Sequence, residues 1–217
     1  MITFGILTND NQDAVNEIVL SIEKNNIPNQ DFEIIIVGNI QNTDHKVIHD
    51  PYVESKNWIT RKKNLVVEHS SGDIILILKD YIKFDPHWYT NFMIYDSQND
   101  WDILMNIIND ERGHRYLDWI WENPVIGDGR NVNYTVNDHK EMFVPGCFLI
   151  AKRYVLQNIP FNERMVGLNR PTDVEWSKRA MQTYKYSLNV LSNCIAFGKK
   201  SRRYPKFRRL CLCNVCY

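Results

Sequence analysis

The chain has 217 residues, 26 Lys and Arg against 26 Asp and Glu, and a hydrophobic share of 44%. That apolar content supports a packed core, which excludes disordered and fibrous classes, and the length suits one large domain or two small ones. The longest uncharged apolar run near the middle, residues 74–78, is far short of the roughly 20 residues that cross a bilayer. Asp10, Asp13 and Glu17 stand where a signal peptide would be apolar. A soluble, cytoplasmic protein is the expectation.

The zero net charge hides an asymmetry. No acid follows Glu175, and residues 176–217 carry ten Lys or Arg, so residues 1–175 hold 16 cations against 26 acids. Seven of the ten cations fall in residues 199–209. Such a block reads as a solvated tail suited to peripheral contact with an anionic membrane surface or to the phosphates of a ligand, or simply as exposed chain. Cys147 and Cys194 sit in apolar surroundings and read as small buried hydrophobes. Cys211, Cys213 and Cys216 offer three of the four ligands of a structural zinc site, and five cysteines in all do not make a disulfide framework. Lipidation beside the basic run, or inert thiols, are the other readings.

In chain order, residues 2–8 read as a strand ending in the polar loop Asn9-Asp10-Asn11. Ala14, Val15, Ile18, Val19 and Ile22 then share one helical face, and Pro28 ends that segment. Residues 32–37 form a β-branched run expected of a strand buried on both faces, closed by Gly38-Asn39. Residues 46–49 suit a short third strand. Trp58, Ile59, Leu65 and Val66 mark a helix, broken at Ser71-Gly72-Asp73, and residues 74–78 form another buried strand. Asp85-Pro86 starts a helix with Trp88, Phe92 and Tyr95 inward. Strands are expected at 101–108, 143–151 and 188–196, and Pro171 opens a last helix whose Thr172 and Glu175 fit a capping box. The long polar, aromatic stretch 109–142 suits a functional loop. Strand–helix alternation of this kind implies right-handed crossovers and a mixed, mainly parallel α/β sheet flanked by helices, with a Rossmann-like N-terminal half. No dinucleotide-binding or P-loop glycine motif occurs.

Ligands of such sheets bind at the carboxyl ends of the strands, near the switch in strand order. The polar clusters there are Thr8-Asn9-Asp10, Gly38-Asn39 and Lys79-Asp80. They are expected to converge, although the first two also suit ordinary turns. Around the third, Gly72-Asp73, an apolar run, Lys79-Asp80-Tyr81 and then Phe84-Asp85-Pro86-His87-Trp88 follow one another. Arg61-Lys62-Lys63-Asn64 lies upstream, and Pro145-Gly146-Cys147 and Thr172-Asp173-Val174-Glu175-Trp176 lie downstream. In order and spacing these segments resemble the family 2 glycosyltransferases of the GT-A fold over about residues 1–200. The compact module is also similar to enzymes encoded by large DNA viruses, including those of chlorella.

The resemblance implies a GT-A glycosyltransferase domain at 1–198, with a nucleotide-sugar-binding half (1–100) and an acceptor and catalytic half (101–198), followed by the basic, cysteine-containing tail 199–217. It implies an inverting transfer from a nucleotide diphosphate sugar, a UDP-sugar above all, to a hydroxyl of a glycan or glycoprotein. Asp173 would be the general base. Asp80 would hold Mn²⁺ or Mg²⁺, hard cations suited to carboxylate and phosphate oxygens. Arg61, Lys63 and Lys79 would add positive charge to the diphosphate, while Thr8, Asn9 and Asn39 hold the nucleoside. Asp118, Trp119, Gly146 and Trp176, with Trp121, are the candidate acceptor contacts, and core packing is the commoner fate of such aromatics. His114 and His139 read as loop residues.

The usual D-x-D is reduced to Lys79-Asp80-Tyr81, so one acidic ligand is missing and metal dependence stays open. A nucleotidyltransferase is the second reading, without the glycine-rich loop after the first strand that its chemistry uses. A non-catalytic sugar-nucleotide or polyanion-binding module is the third. No nucleic-acid partner is expected, and further domains of a longer chain are.

Overall fold

A computed structural model describes residues 1–122, 129–137, 141–167 and 171–201. The basic tail beyond residue 201, with Cys211, Cys213 and Cys216, and His139 all lie outside the described residues.

Strand β1 (Ile2–Leu7) is buried at all six positions. Helix α1 (Gln12–Glu23) follows, capped by the Asn11 side chain, which accepts from the Ala14 amide at 3.3 Å. Such a cap satisfies one of the amides that a helix start leaves unpaired. Ala14, Val15, Ile18 and Ile22 face the core as their spacing predicts. Strands β2 (Phe32–Val37) and β3 (Lys46–Ile48) come next, then α2 (Pro51–Ser55), α3 (Ile59–His69) and β4 (Ile74–Lys79). Helix α2 escaped the sequence reading because it spans little more than a turn. Its start is nonetheless marked: Asp50 accepts from the amides of Tyr52 and Val53, and Pro51 opens the helix.

Strand β5 (Ile82–Phe84) is a second element too short for periodicity to reveal. Helix α4 (Trp88–Gln98) buries Trp88 and Phe92, stacked at 5.0 Å, with Phe84 edge-on to Trp88 at 4.8 Å. Then come β6 (Ile103–Asp110), β7 (Ile120–Glu122), β8 (Gly129–Asn131), β9 (Met142–Phe143) and β10 (Phe148–Lys152). The chain ends its described part with α5 (Arg153–Asn158), α6 (Thr172–Ala180), β11 (Tyr186–Ala196) and α7 (Gly198–Ser201). The single strand expected over 143–151 is two strands. Pro145 cannot donate to a ladder, and the chain turns there, with the Phe148 amide reaching the Pro145 carbonyl at 3.3 Å.

Eight strands form one sheet in the order β3-β2-β1-β4-β10-β6-β11-β5, and β8-β7-β9 form a small second sheet. The pairs β3/β2, β2/β1, β1/β4 and β6/β11 are parallel. Strand β10 is antiparallel to both β4 and β6, and β5 to β11. Strands β4 and β6 therefore run the same way on either side of β10, so the sheet is mainly parallel, with β10 and β5 reversed. The switch in strand order lies between β1 and β4, and their carboxyl ends, at Leu7 and Lys79, are directly paired. Helix α3 packs close over this seam: a Cβ placed on Gly5 would lie 2.3 Å from Val66 Cγ1. Gly5→Ala should therefore cost about 1–3 kcal/mol by overpacking, and Val66→Ala in the same chain should recover part of it. Urea unfolding of the three variants checks this, and a Gly5→Ala protein as stable as wild type would contradict the close packing.

Candidate active-site cleft

The three polar clusters converge. The Thr8 amide reaches the Val37 carbonyl at 3.1 Å, and the Asn39 amide reaches the Asn9 carbonyl at 2.6 Å. The Thr8 hydroxyl donates to Asp80 Oδ2 at 2.9 Å, tying the end of β1 to the end of β4. At these ends lies a cleft of about 620 Å³, whose lining includes Thr8, Asn9, Asp10, Lys79, Asp80, Gly146 and Asp173. The Asn39 side chain is exposed and outside this lining; its backbone does the joining.

Helix α3 buries three consecutive polar residues, Lys62, Lys63 and Asn64. At 100° per residue they point in three directions. The Lys62 ammonium donates to the Thr8 carbonyl and, at 2.9 Å, to Asn9 Oδ1, fixing the loop after β1. Burial pushes the Lys62 amine pKa down, while Glu54, Asp80 and Asp10 pull it back. Lys63 Nζ meets Asp173 Oδ1 at 2.8 Å. The Asn64 side chain donates to the Phe161 carbonyl and accepts from the Phe161 amide, both at 2.9 Å, which anchors the approach to α6.

Asp173 sits in the first turn of α6. The capping box does not form there: Pro171 is the N-cap without a side-chain bond, and Glu175 instead pairs with Arg179 at 2.7 Å. Asp173 reaches the cleft because residue 146 is glycine. A Cβ at Gly146 would lie 2.1 Å from Asp173 Oδ2. A second pocket of about 280 Å³ opens on the far side of Gly146, walled by Tyr81, Tyr116, Leu117 and Phe143. Lys79, Gly146 and Asp173 line both spaces. Cys147 also borders the second pocket, and burial pushes its thiol up to about 12, so it stays protonated and is no nucleophile near neutral pH.

Other expected residues lie elsewhere. Arg61 turns away from the cleft to Glu68 and, at 3.1 Å, to Glu163. Trp119 is 2% exposed, packs on Tyr186 at 4.6 Å and donates its indole N–H to the Val136 carbonyl at 2.8 Å. Trp176 is fully buried, stacks on Phe161 at 5.1 Å and donates to the Ile159 carbonyl at 2.7 Å. Both rings are core with their polar atoms satisfied, and neither presents a face to a ligand. Trp121 is half-buried under the Arg130 guanidinium, 4.8 Å from the ring centroid. Asp118 is fully buried and accepts from the Ile108 amide at 3.2 Å, Arg115 Nε at 2.8 Å and the Tyr134 hydroxyl at 2.8 Å. It is a structural hub that joins β6 to Arg115 and Tyr134.

Lys62 and Tyr81 were missed. Lys62 was legible in principle: it stands three and four residues before Leu65 and Val66, on their buried face. Tyr81 was hidden because it comes from the β4–β5 connection, which has no local period.

Asp80 offers hard carboxylate oxygen in the lining of the cleft. Among the described residues no group of three or more His, Cys, Asp or Glu could hold a metal ion by itself. A cation here would be held by Asp80 and by the donor's own phosphates, an arrangement that suits Mg²⁺, which commonly uses one or two carboxylates with substrate phosphate. The residues present fit that role.

No protein-family model and no curated protein matches the chain. Solved structures do match. S. aureus TarS 1–349 superposes with a TM-score of 0.64 at 13% identity, over 90% of this chain and 60% of that one. The same fragment in complex with UDP-GlcNAc gives 0.64 at 12% identity, over 92% and 60%. GalNAc-T7 with UDP, GalNAc and Mn²⁺ gives 0.68 at 12% identity, over 90% and 43%. The chain thus spans about 60% of the TarS fragment. It has the GT-A-type fold of these glycosyltransferases. No helix among the described residues is long and apolar enough to cross a membrane.

Asp118 yields a check that needs no substrate. Asp118→Ala should cost about 3 kcal/mol, because a half-buried guanidinium, a hydroxyl and a buried amide lose their acceptor together. Urea unfolding reads this, and a loss under about 1 kcal/mol would show that the hub is a surface-like pair.

Proposed function

We propose that the chain is an inverting glycosyltransferase that moves a sugar from a UDP-sugar to a hydroxyl of a glycan or glycoprotein acceptor, with residues 1–198 as the catalytic unit. One observation carries this reading. Asp173 stands where a charged cleft, lined by Asp80, Lys62 and Lys79, meets an aromatic pocket, lined by Tyr81 and Tyr116. A donor diphosphate suits the first space and a carbohydrate ring the second, since aromatic walls pair with the apolar faces of sugars. The likeness to structures that carry UDP, UDP-GlcNAc and Mn²⁺ supports the donor class.

The reaction follows from that placement. The acceptor oxygen attacks the anomeric carbon from the aromatic pocket, and its proton passes to Asp173 Oδ2. The new C–O bond forms as the bond to the donor phosphate breaks, and UDP departs with the electron pair. A single in-line displacement inverts the anomeric configuration. A divalent cation held by Asp80, when bound, supplies charge neutralisation to the leaving phosphate. Lys62 and Lys79 add fixed positive charge there, worth most where water is excluded. Gly146 lets the base enter. The single carboxylate at the D-x-D position favours one other reading, a sugar-nucleotide-binding module without turnover.

Calorimetric titration of UDP-, GDP- and dTDP-sugars, with turnover read as nucleotide release, tests this. Asp173→Asn should lower turnover by about 10²–10⁴-fold, the usual worth of a general base, and leave donor affinity within about twofold. Asp80→Asn should instead weaken the donor, and more so with Mn²⁺ present. Donor binding without turnover in the wild type would support the binding module, unchanged turnover in Asp173→Asn would remove it from the mechanism, and no bound donor would end the reading.

A further inference from the structure

Lys63 stands in a run of basic residues that reads from the sequence as phosphate-binding, and its placement argues otherwise. The side chain is 5% exposed, and its ammonium ends 2.8 Å from Asp173 Oδ1. Unlike Lys62 and Lys79, it is not part of the lining of the cleft. It lies over the ring of Phe161, 4.5 Å from the centroid. That ring is stacked on Trp176, which is itself bonded to the Ile159 carbonyl. The ammonium is thus walled in by α6 and by the segment before it, and a swing toward a diphosphate would break this ion pair with the Asp173 carboxylate.

The two oxygens of Asp173 are held differently. Oδ1 faces Lys63 and, at 3.3 Å, the Thr172 hydroxyl. Oδ2 is the atom that points at Gly146, where the two spaces meet. A carboxylate gripped at one oxygen presents the other in a fixed direction, and misplacing a reacting group by about 1 Å can cost about 10²-fold in rate. Lys79, from the end of β4, lines both spaces together with Asp173.

We propose that Lys63 is a positioning residue for Asp173 and takes no part in holding the donor. This rests on the reading of Asp173 as general base. The two lysines of α3 then divide their work: Lys62 builds the donor wall, and Lys63 aims the base. Lys63 makes no bond with the substrate, and its effect passes through one oxygen of one carboxylate.

The test measures UDP affinity by calorimetry and kcat by UDP release in wild type, Lys63→Met, Lys63→Gln and Lys63→Arg. Lys63→Met should lose about 10²-fold in kcat with UDP affinity within about twofold of wild type. Lys63→Arg, which keeps a charged donor toward Asp173, should recover most of that loss. If Lys63→Met does not fold, Lys63→Gln is read on the same scale, since an amide of similar length fills the slot. Loss of UDP affinity by about tenfold or more would make Lys63 a phosphate ligand and overturn the proposal. So would an unchanged kcat, or a kcat loss that Lys63→Arg leaves in full, the mark of a merely structural role. Wild-type protein that binds no UDP would sink the glycosyltransferase reading itself, and this inference with it.

Discussion

The burial of three polar residues in succession on α3 holds the cleft together. Lys62, Lys63 and Asn64 are each under 8% exposed, and charges are costly to bury unless paired and hydrogen-bonded. Each partner is a different part of the cleft's surroundings: the loop after β1, Asp173 in the first turn of α6, and the segment around Phe161. One short helix therefore fixes the relative positions of the loop after β1 and Asp173. The close approach of α3 to β1, which only a glycine at position 5 allows, sets how far those side chains reach.

The sheet supplies the other constraint. Parallel β1 and β4 bring Thr8 and Asp80 side by side at the switch in strand order, where the Thr8 hydroxyl bonds the carboxylate. The reversed strand β10 enters between β4 and β6, and the turn before it carries Gly146 to the same edge. The second half of the chain thus returns to complete a cleft begun by the first. The amide of Lys79 is tied to the Cys147 carbonyl at 3.0 Å, which joins the end of β4 to the turn that carries Gly146.

Much of this was legible in the sequence, for physical reasons that differ by element. The buried runs of β1, β2 and β4 are continuous because helices cover both faces, so they stand out against their polar ends. The inward face of α1 obeys its period. The carboxyl-end rule then places Thr8 and Asp80 in the cleft, and the match of the Asp173 segment to a known motif singles out that residue. What failed depended on tertiary context. Trp119 and Trp176 satisfy their indole N–H groups on distant carbonyls, which a local pattern does not reveal. Asp118 reads as a polar contact and is instead the acceptor for bonds from β6, Arg115 and Tyr134. Arg61 and Lys62 are neighbours in sequence, yet a 100° step sends one to Glu163 and the other to the cleft.

The central claim is that the charged cleft takes the donor and that Asp173 stands on the acceptor side of its anomeric carbon. A crystal structure with a non-hydrolysable UDP-sugar tests it most directly. The account predicts the diphosphate against Asp80 and Lys62, with the anomeric carbon turned toward Asp173 Oδ2 and the leaving phosphate on its far side. A nucleotide seated elsewhere, as in the groove between Trp58 and Pro160 on the other side of α3, would contradict it.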